Sequence, residues 1–137
     1  MKKTLAILAA LAATLPAIAS AGKLEAPFVR MWHESWPSLS IIAPEADIQV
    51  DNAEAPTSVD ARFSAATGSR PYPIRLSGSK AKDSAGPMSG SLDIAGVSYP
   101  ATIWSSKVCD DGGCMVKIEA EASNTTGETV DVVIYGR

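Results

Sequence analysis

From residue 58 onward, apolar and polar side chains alternate at every second position, and this period constrains the fold more than any other feature of the 137-residue chain. Ser58–Phe63 sets Val59, Ala61 and Phe63 on one side and Asp60 and Arg62 on the other. Met88–Ile94 repeats the pattern, and Val116–Ala122 turns Lys117, Glu119 and Glu121 one way and its apolar residues the other. Thr129–Tyr135 closes the series, apolar on nearly both sides. A period of two belongs to half-buried antiparallel strands, since successive side chains point to opposite faces of a sheet. Weaker strand signals lie at Phe28–Trp32, Leu39–Ile42, Asp47–Val50, Tyr72–Leu76 and Thr102–Val108.

Turn chemistry separates these runs. Ala95-Gly96 suits a tight hairpin, Asp110-Asp111-Gly112-Gly113 supplies residues that tolerate positive φ, and Asn124-Thr125-Thr126-Gly127 marks another turn. Asn124-Thr125-Thr126 also matches a glycosylation sequon, but we read it as a turn. Pro73 lacks the N–H that a central strand donates, which predicts an edge or a bulge at Tyr72–Leu76. Ser77–Gly86 reads as a polar loop, and no helix-length amphipathic segment occurs after Gly22. About eight short strands at spacings near ten residues predict an all-β fold. The expected form is an antiparallel two-sheet sandwich of the immunoglobulin-like kind, with a small β-barrel as the alternative.

The first residues read as a leader. Lys2 and Lys3 precede the apolar run Leu5–Leu15, Pro16 breaks it, and Ala19-Ser20-Ala21 fits the small-residue cleavage pattern. The run is shorter than the roughly 20 apolar residues that span a bilayer. We therefore expect a signal peptide at 1–21 and one domain at 22–137, periplasmic or secreted, with no membrane span in the mature chain. That domain carries 10 basic against 15 acidic residues, −5 in all, a poor match to nucleic acid. Its positive cluster, Arg70, Arg75, Lys80 and Lys82, reads as a solvated loop, with a small-anion patch as the sharper reading.

Cys109 and Cys114 flank the Asp110–Gly113 turn. Residues facing each other across a hairpin have Cα atoms about 4.5–5.5 Å apart, within reach of a disulfide. We expect a bond that pins the turn. A redox-active pair is the alternative, disfavoured by the C-x4-C spacing and by Asp110 and Asp111, whose charges oppose a thiolate.

Met31-Trp32-His33-Glu34-Ser35-Trp36-Pro37 concentrates two of the three tryptophans and the only histidine. The bland reading packs Trp32 and Trp36 over an open end of the fold, with His33 and Glu34 paired at its rim. A second reading is a binding face for protein or carbohydrate built from Trp32, His33, Trp36, Tyr72 and Trp104, with Tyr99 a further stacking candidate. A third is a copper(I) site of Met31 and His33, completed only if Met88 or Met115 lies near. No metal or cofactor is expected. The chain holds no G-x-S-x-G, H-E-x-x-H or phosphate loop, and one histidine is little for acid–base work, so we expect no enzyme.

The leading functional expectation is thus an exported non-enzymatic binding or scaffolding protein of the periplasm or cell surface. The first alternative is a self-assembling surface-fibre subunit of the donor-strand type, with Lys23–Trp32 as donor and the strand after Gly127 as the terminal strand. The second is a periplasmic copper or thiol-redox handling protein.

Overall fold

The computed structural model describes residues 22–25, 27–33, 39–42, 46–67 and 70–137, with backbone alone at 39–42, 65–67 and 70–72. The leader, Glu34 and Trp36 lie outside the described residues, as does the side chain of Tyr72. Ten strands form: β1 (Gly22–Lys23), β2 (Phe28–His33), β3 (Leu39–Ile42), β4 (Asp47–Val50), β5 (Ser58–Thr67), β6 (Arg70–Ser79), β7 (Met88–Ile94), β8 (Val97–Asp110), β9 (Gly113–Ser123) and β10 (Thr129–Gly136). No helix is present among the described residues, and therefore none long and apolar enough to cross a membrane.

All ten strands belong to one antiparallel sheet, in the order β1-β4-β5-β6-β7-β8-β9-β10-β2-β3. It curls into a half-barrel, so the small-barrel alternative fits in part, and the described strands form one sheet rather than the two of the expected sandwich. The connections give the reason. From β4 to β10 every strand pairs with the next in sequence. A short hairpin leaves its second strand no route to another sheet. Ala95 (φ 51°) and Gly96 (φ 91°) make one such turn, both in the left-handed region that a two-residue hairpin of this hand requires. At the β9–β10 turn the Asn124 side-chain carbonyl accepts from the N–H groups of Thr126 and Glu128, each at 3.0 Å, so the sequon residue organises the turn.

The N-terminal segment ties the two ends of this meander together. β1 pairs with β4, and the Leu24 N–H donates to the Ile48 carbonyl at 2.7 Å. The next residue faces the other way: Glu25 exchanges backbone hydrogen bonds of 2.8 and 3.0 Å with Arg137, just past β10. β2 then continues along β10, from Tyr135↔Phe28 to Val130↔His33. Leu24, only 2% exposed, is buried where the two margins meet.

The alternating apolar residues all face the inside of the curl. Val29, Met31, Ile48, Val59, Ala61, Ile74, Leu76, Met88, Leu92, Ile103, Ile118, Val130, Val132 and Ile134 form one buried cluster. Gly78 and Gly90 face each other across β6 and β7 on this inner side. A Cβ at Gly78 would lie 2.6 Å from Cδ1 of Ile103, so the glycine makes room for a core side chain. β6 is interior to the sheet over most of its length, contrary to the edge or bulge expected from Pro73. Its ladder with β7 begins only at Ile74, so the missing N–H of Pro73 interrupts no bond there. The strand also runs to Ser79, which shortens the expected Ser77–Gly86 loop.

The hairpin of β8 and β9 outgrows the rest. β7 stops pairing with β8 at Ile103, and β10 stops pairing with β9 at Val116. Beyond those points β8 and β9 have only each other, and from Ser106 to Cys114 every residue is exposed. This projecting arm ends in the Cys109–Cys114 disulfide, whose Cα atoms are 4.0 Å apart.

Candidate functional site

The residues singled out for a binding face fall into separate places. Trp32 and Trp104 lie on the outer side of the sheet, away from the core. Trp104 is 47% exposed and faces Glu119 across the ladder. Trp32 is half-buried and faces Asp131, with the Arg30 guanidinium 5.3 Å from its ring centre. β9 and β10 separate the two strands, which at ordinary strand spacing is about 14 Å. His33 alternates with Trp32 and so faces inward, buried at the end of the core. Its Nε2 lies 3.6 Å from Oε2 of Glu128 in the β9–β10 turn, and the expected partner Glu34 lies outside the described residues. Tyr99, partly buried, packs against the core from the inner side, away from the outer face. Tyr72 pairs with Ala65 within β6, and only its backbone is described.

Register fills in the rest of the outer face. One row runs Trp104, Glu119, Val133, Arg30 across β8, β9, β10 and β2. The next runs Thr102, Glu121, Asp131, Trp32, and on the other side lies Ser106, Lys117, Tyr135, Phe28. The rings of Phe28 and Tyr135 are 6.5 Å apart, and the Lys117 ammonium is 5.8 Å from the Tyr135 ring centre. Val108, 40% exposed, and Met115 face each other on the arm and extend this surface. Phe28, Val108, Val133 and Tyr135 were missed as candidates, and Met115 was considered only as a copper ligand. For Val133 and Tyr135 the signal was present in the apolar outer positions of Thr129–Tyr135, where a solvent-facing strand ordinarily carries polar residues.

Charges on this face are unevenly compensated. Lys117 and Glu119 pair at 3.0 Å, and that hydrogen bond raises the Lys117 ammonium above its ordinary value. Asp131 and Glu121 oppose each other directly, an unfavourable cross-strand pair. Partial burial pushes the Asp131 carboxyl up, and the Glu121 charge adds to it. Elsewhere the sheet neutralises its charges: Arg75 grips Asp60 through two hydrogen bonds of 3.1 and 3.2 Å, which holds that carboxyl below its usual range.

The groups considered for metal or redox chemistry fall in different parts of the fold. Met31 and Met88 are buried on the inner face with His33, whereas Met115 alternates onto the outer face. Both cysteines are joined to each other, and no group of three or more His, Cys, Asp or Glu side chains is placed to hold a metal ion among the described residues. The segment considered as a donor strand, Lys23–Trp32, is built into this chain's own sheet. Comparison with known protein families, curated proteins and solved structures finds no match to this chain.

Proposed function

We propose that this is an exported, non-enzymatic binding protein of the periplasm or cell surface. It engages a protein partner through the outer face of β2, β10, β9 and β8. One observation carries the reading: Trp32, Trp104, Phe28 and Tyr135 stand on the outer side of a sheet whose inner side already forms a filled core. The fold does not need these side chains inside, and a run of partly exposed aromatic residues on a monomer's surface marks a contact area. Their company supports a protein partner. Trp, Tyr, Phe, Met and Arg are the types enriched at the centres of protein–protein interfaces, and Arg30 and Met115 complete that set here. The leader-like first 21 residues and the disulfide support export, because oxidising compartments sustain such bonds.

The test places a photo-crosslinking amino acid at position 104, and separately at Val97, which is 56% exposed at the start of β8, just past the β7–β8 turn. Crosslinking is carried out in the cells that make the protein. A discrete light-dependent protein adduct from position 104, absent from position 97 and lost with Trp32→Ala, supports the proposal. No adduct at 104, or the same adducts from both positions, rejects it.

A further inference from the structure

The basic residues noted in the sequence part company in the fold. Arg75 is taken up by Asp60 on the outer face of β5 and β6. Lys80 and Lys82 instead meet Lys107, more than twenty positions further along the chain, around one open cleft of about 290 Å³. Its walls are the β4–β5 loop at Glu54–Thr57, the β6–β7 loop at Lys80, Lys82 and Ser84, and the base of the arm at Ser105–Lys107.

We propose that this cleft binds a compact, multiply charged oxyanion, of the phosphate or sulfate class. Three lysines face one carboxylate there, in a chain whose net charge is −3, so the cleft runs against the charge of the molecule. The walls are tied in place. The Lys80 N–H donates to the Thr57 carbonyl at 2.9 Å, which joins the two loops. The Lys80 ammonium donates to the Gly86 carbonyl, also at 2.9 Å, and so stays over its own loop. Asp51 fixes the other wall by accepting from the Thr57 hydroxyl and from the N–H groups of Thr57 and Ser58.

The ligand class follows from the donors. Lys82 makes no hydrogen bond or ion pair among the described residues, and the Ser106 hydroxyl is likewise uncommitted. Lys107 is engaged only by Glu54, at 2.5 Å, and that glutamate side chain is 75% exposed. An anion that draws Lys107 inward releases Glu54 to water. Ammonium groups approaching from two chain segments, Lys80 and Lys82 from the β6–β7 loop and Lys107 from β8, suit a small ion with acceptor oxygens on several sides. A single carboxylate offers only two oxygens in one plane. Ser105 and Lys107 alternate with Trp104 and Val108 along β8, so the cleft's lysine on this strand uses the side opposite the aromatic face, and only Ser106 is shared between the two. The inference therefore stands whether or not the outer face binds a partner.

The test is a titration of the oxidised, leader-free protein, followed by backbone-amide NMR shifts. The probes are inorganic phosphate, inorganic sulfate and glucose 6-phosphate, with acetate as the singly charged comparison. Saturable shifts at Thr57, Lys82, Ser84 and Ser106, weakened by added salt and absent with acetate, are the expected result. Lys82→Gln should weaken binding about fivefold, Lys82→Gln with Lys107→Gln should abolish it, and Glu54→Gln should tighten it about threefold. Tighter binding of glucose 6-phosphate than of phosphate assigns the site to an esterified group, and equal or weaker binding to the free ion. Shifts that do not saturate below about 50 mM, or unchanged affinity in the doubly substituted and still folded variant, overturn the inference.

Discussion

The two halves of β8 share one strand conformation and have opposite circumstances. From Ala101 to Ile103 the strand has a neighbour on each side and buries Ala101 and Ile103. From Trp104 to Asp110 it pairs with β9 alone and almost nothing is buried. Strand pairing with β9 thus extends through the second half, but only neighbouring strands on both sides and a shared core turn it into stability. Where the neighbours stop, a covalent bond takes over: Cys109–Cys114 closes the arm where packing no longer does.

The largest contrast comes from matched truncations on that one strand. Ile103→Ala removes a fully buried side chain and should cost about 2–5 kcal/mol of unfolding free energy, measured by urea denaturation. Val108→Ala, five residues on at 40% exposure, should stay within about 0.5 kcal/mol of the parent. Equal costs would erase the distinction between body and arm.

Replacing both cysteines by alanine is the next largest effect, and it sharpens the same comparison. The loop they close is short, so chain entropy gives at most about 2 kcal/mol. Because the arm lies outside the core, the loss should fall on the arm rather than on the global transition. The melting temperature of the body should move by only a few degrees.

Asp51 and Asp131 carry the comparison to pH, with opposite signs. Burial pushes the Asp51 carboxyl up, but hydrogen bonds from Thr57 and Ser58 outweigh it and hold the value below the ordinary one. Folded Asp51 therefore releases its proton more readily than the unfolded chain does. It adds stability above the ordinary carboxyl range and loses it as the pH falls through the lowered value. Asp51→Asn should cost about 1 kcal/mol at neutral pH, and the difference from the parent should shrink in acid. Asp131 is the reverse case: its raised value means that the charged form is disfavoured by folding. Asp131→Asn should raise the urea midpoint slightly at neutral pH, by about 0.3 kcal/mol, and the gain should vanish as the pH drops through the raised value.

Much of the fold could be read in the residues. The alternations at Ser58–Phe63, Met88–Ile94, Val116–Ala122 and Thr129–Tyr135 fall within β5, β7, β9 and β10, and the weaker signals within β2, β3, β4, β6 and β8. The hairpin at Ala95-Gly96 and the disulfide follow from local chemistry, which is why they were legible. The single curled sheet was legible only in part, through the small-barrel alternative. A period of two says that one face is buried but not what covers it, and a sheet curled on itself satisfies the pattern as well as a second sheet does. Not legible was β1, a pair of residues held by backbone bonds to β4 with no side-chain pattern of its own. The outer face was half legible. Trp32 and Trp104 stand out by composition, but Phe28 and Tyr135 join them only through register, which depends on β2 returning to pair with β10. Of the readings for His33, the place at the rim is near what forms, since parity on β2 turns it inward beside Glu128, whereas as part of an exposed binding face it would have to point the other way.

Backbone-amide hydrogen exchange on the oxidised protein tests the division between core-backed sheet and self-supporting arm most directly. The amides of Ile103, Ile118 and Val132 should exchange only through global unfolding, and those from Ser106 to Met115 at least about a hundredfold faster, through local opening. Arm amides as slow as that of Ile118 would contradict the division, and so would rapid exchange throughout β8, β9 and β10.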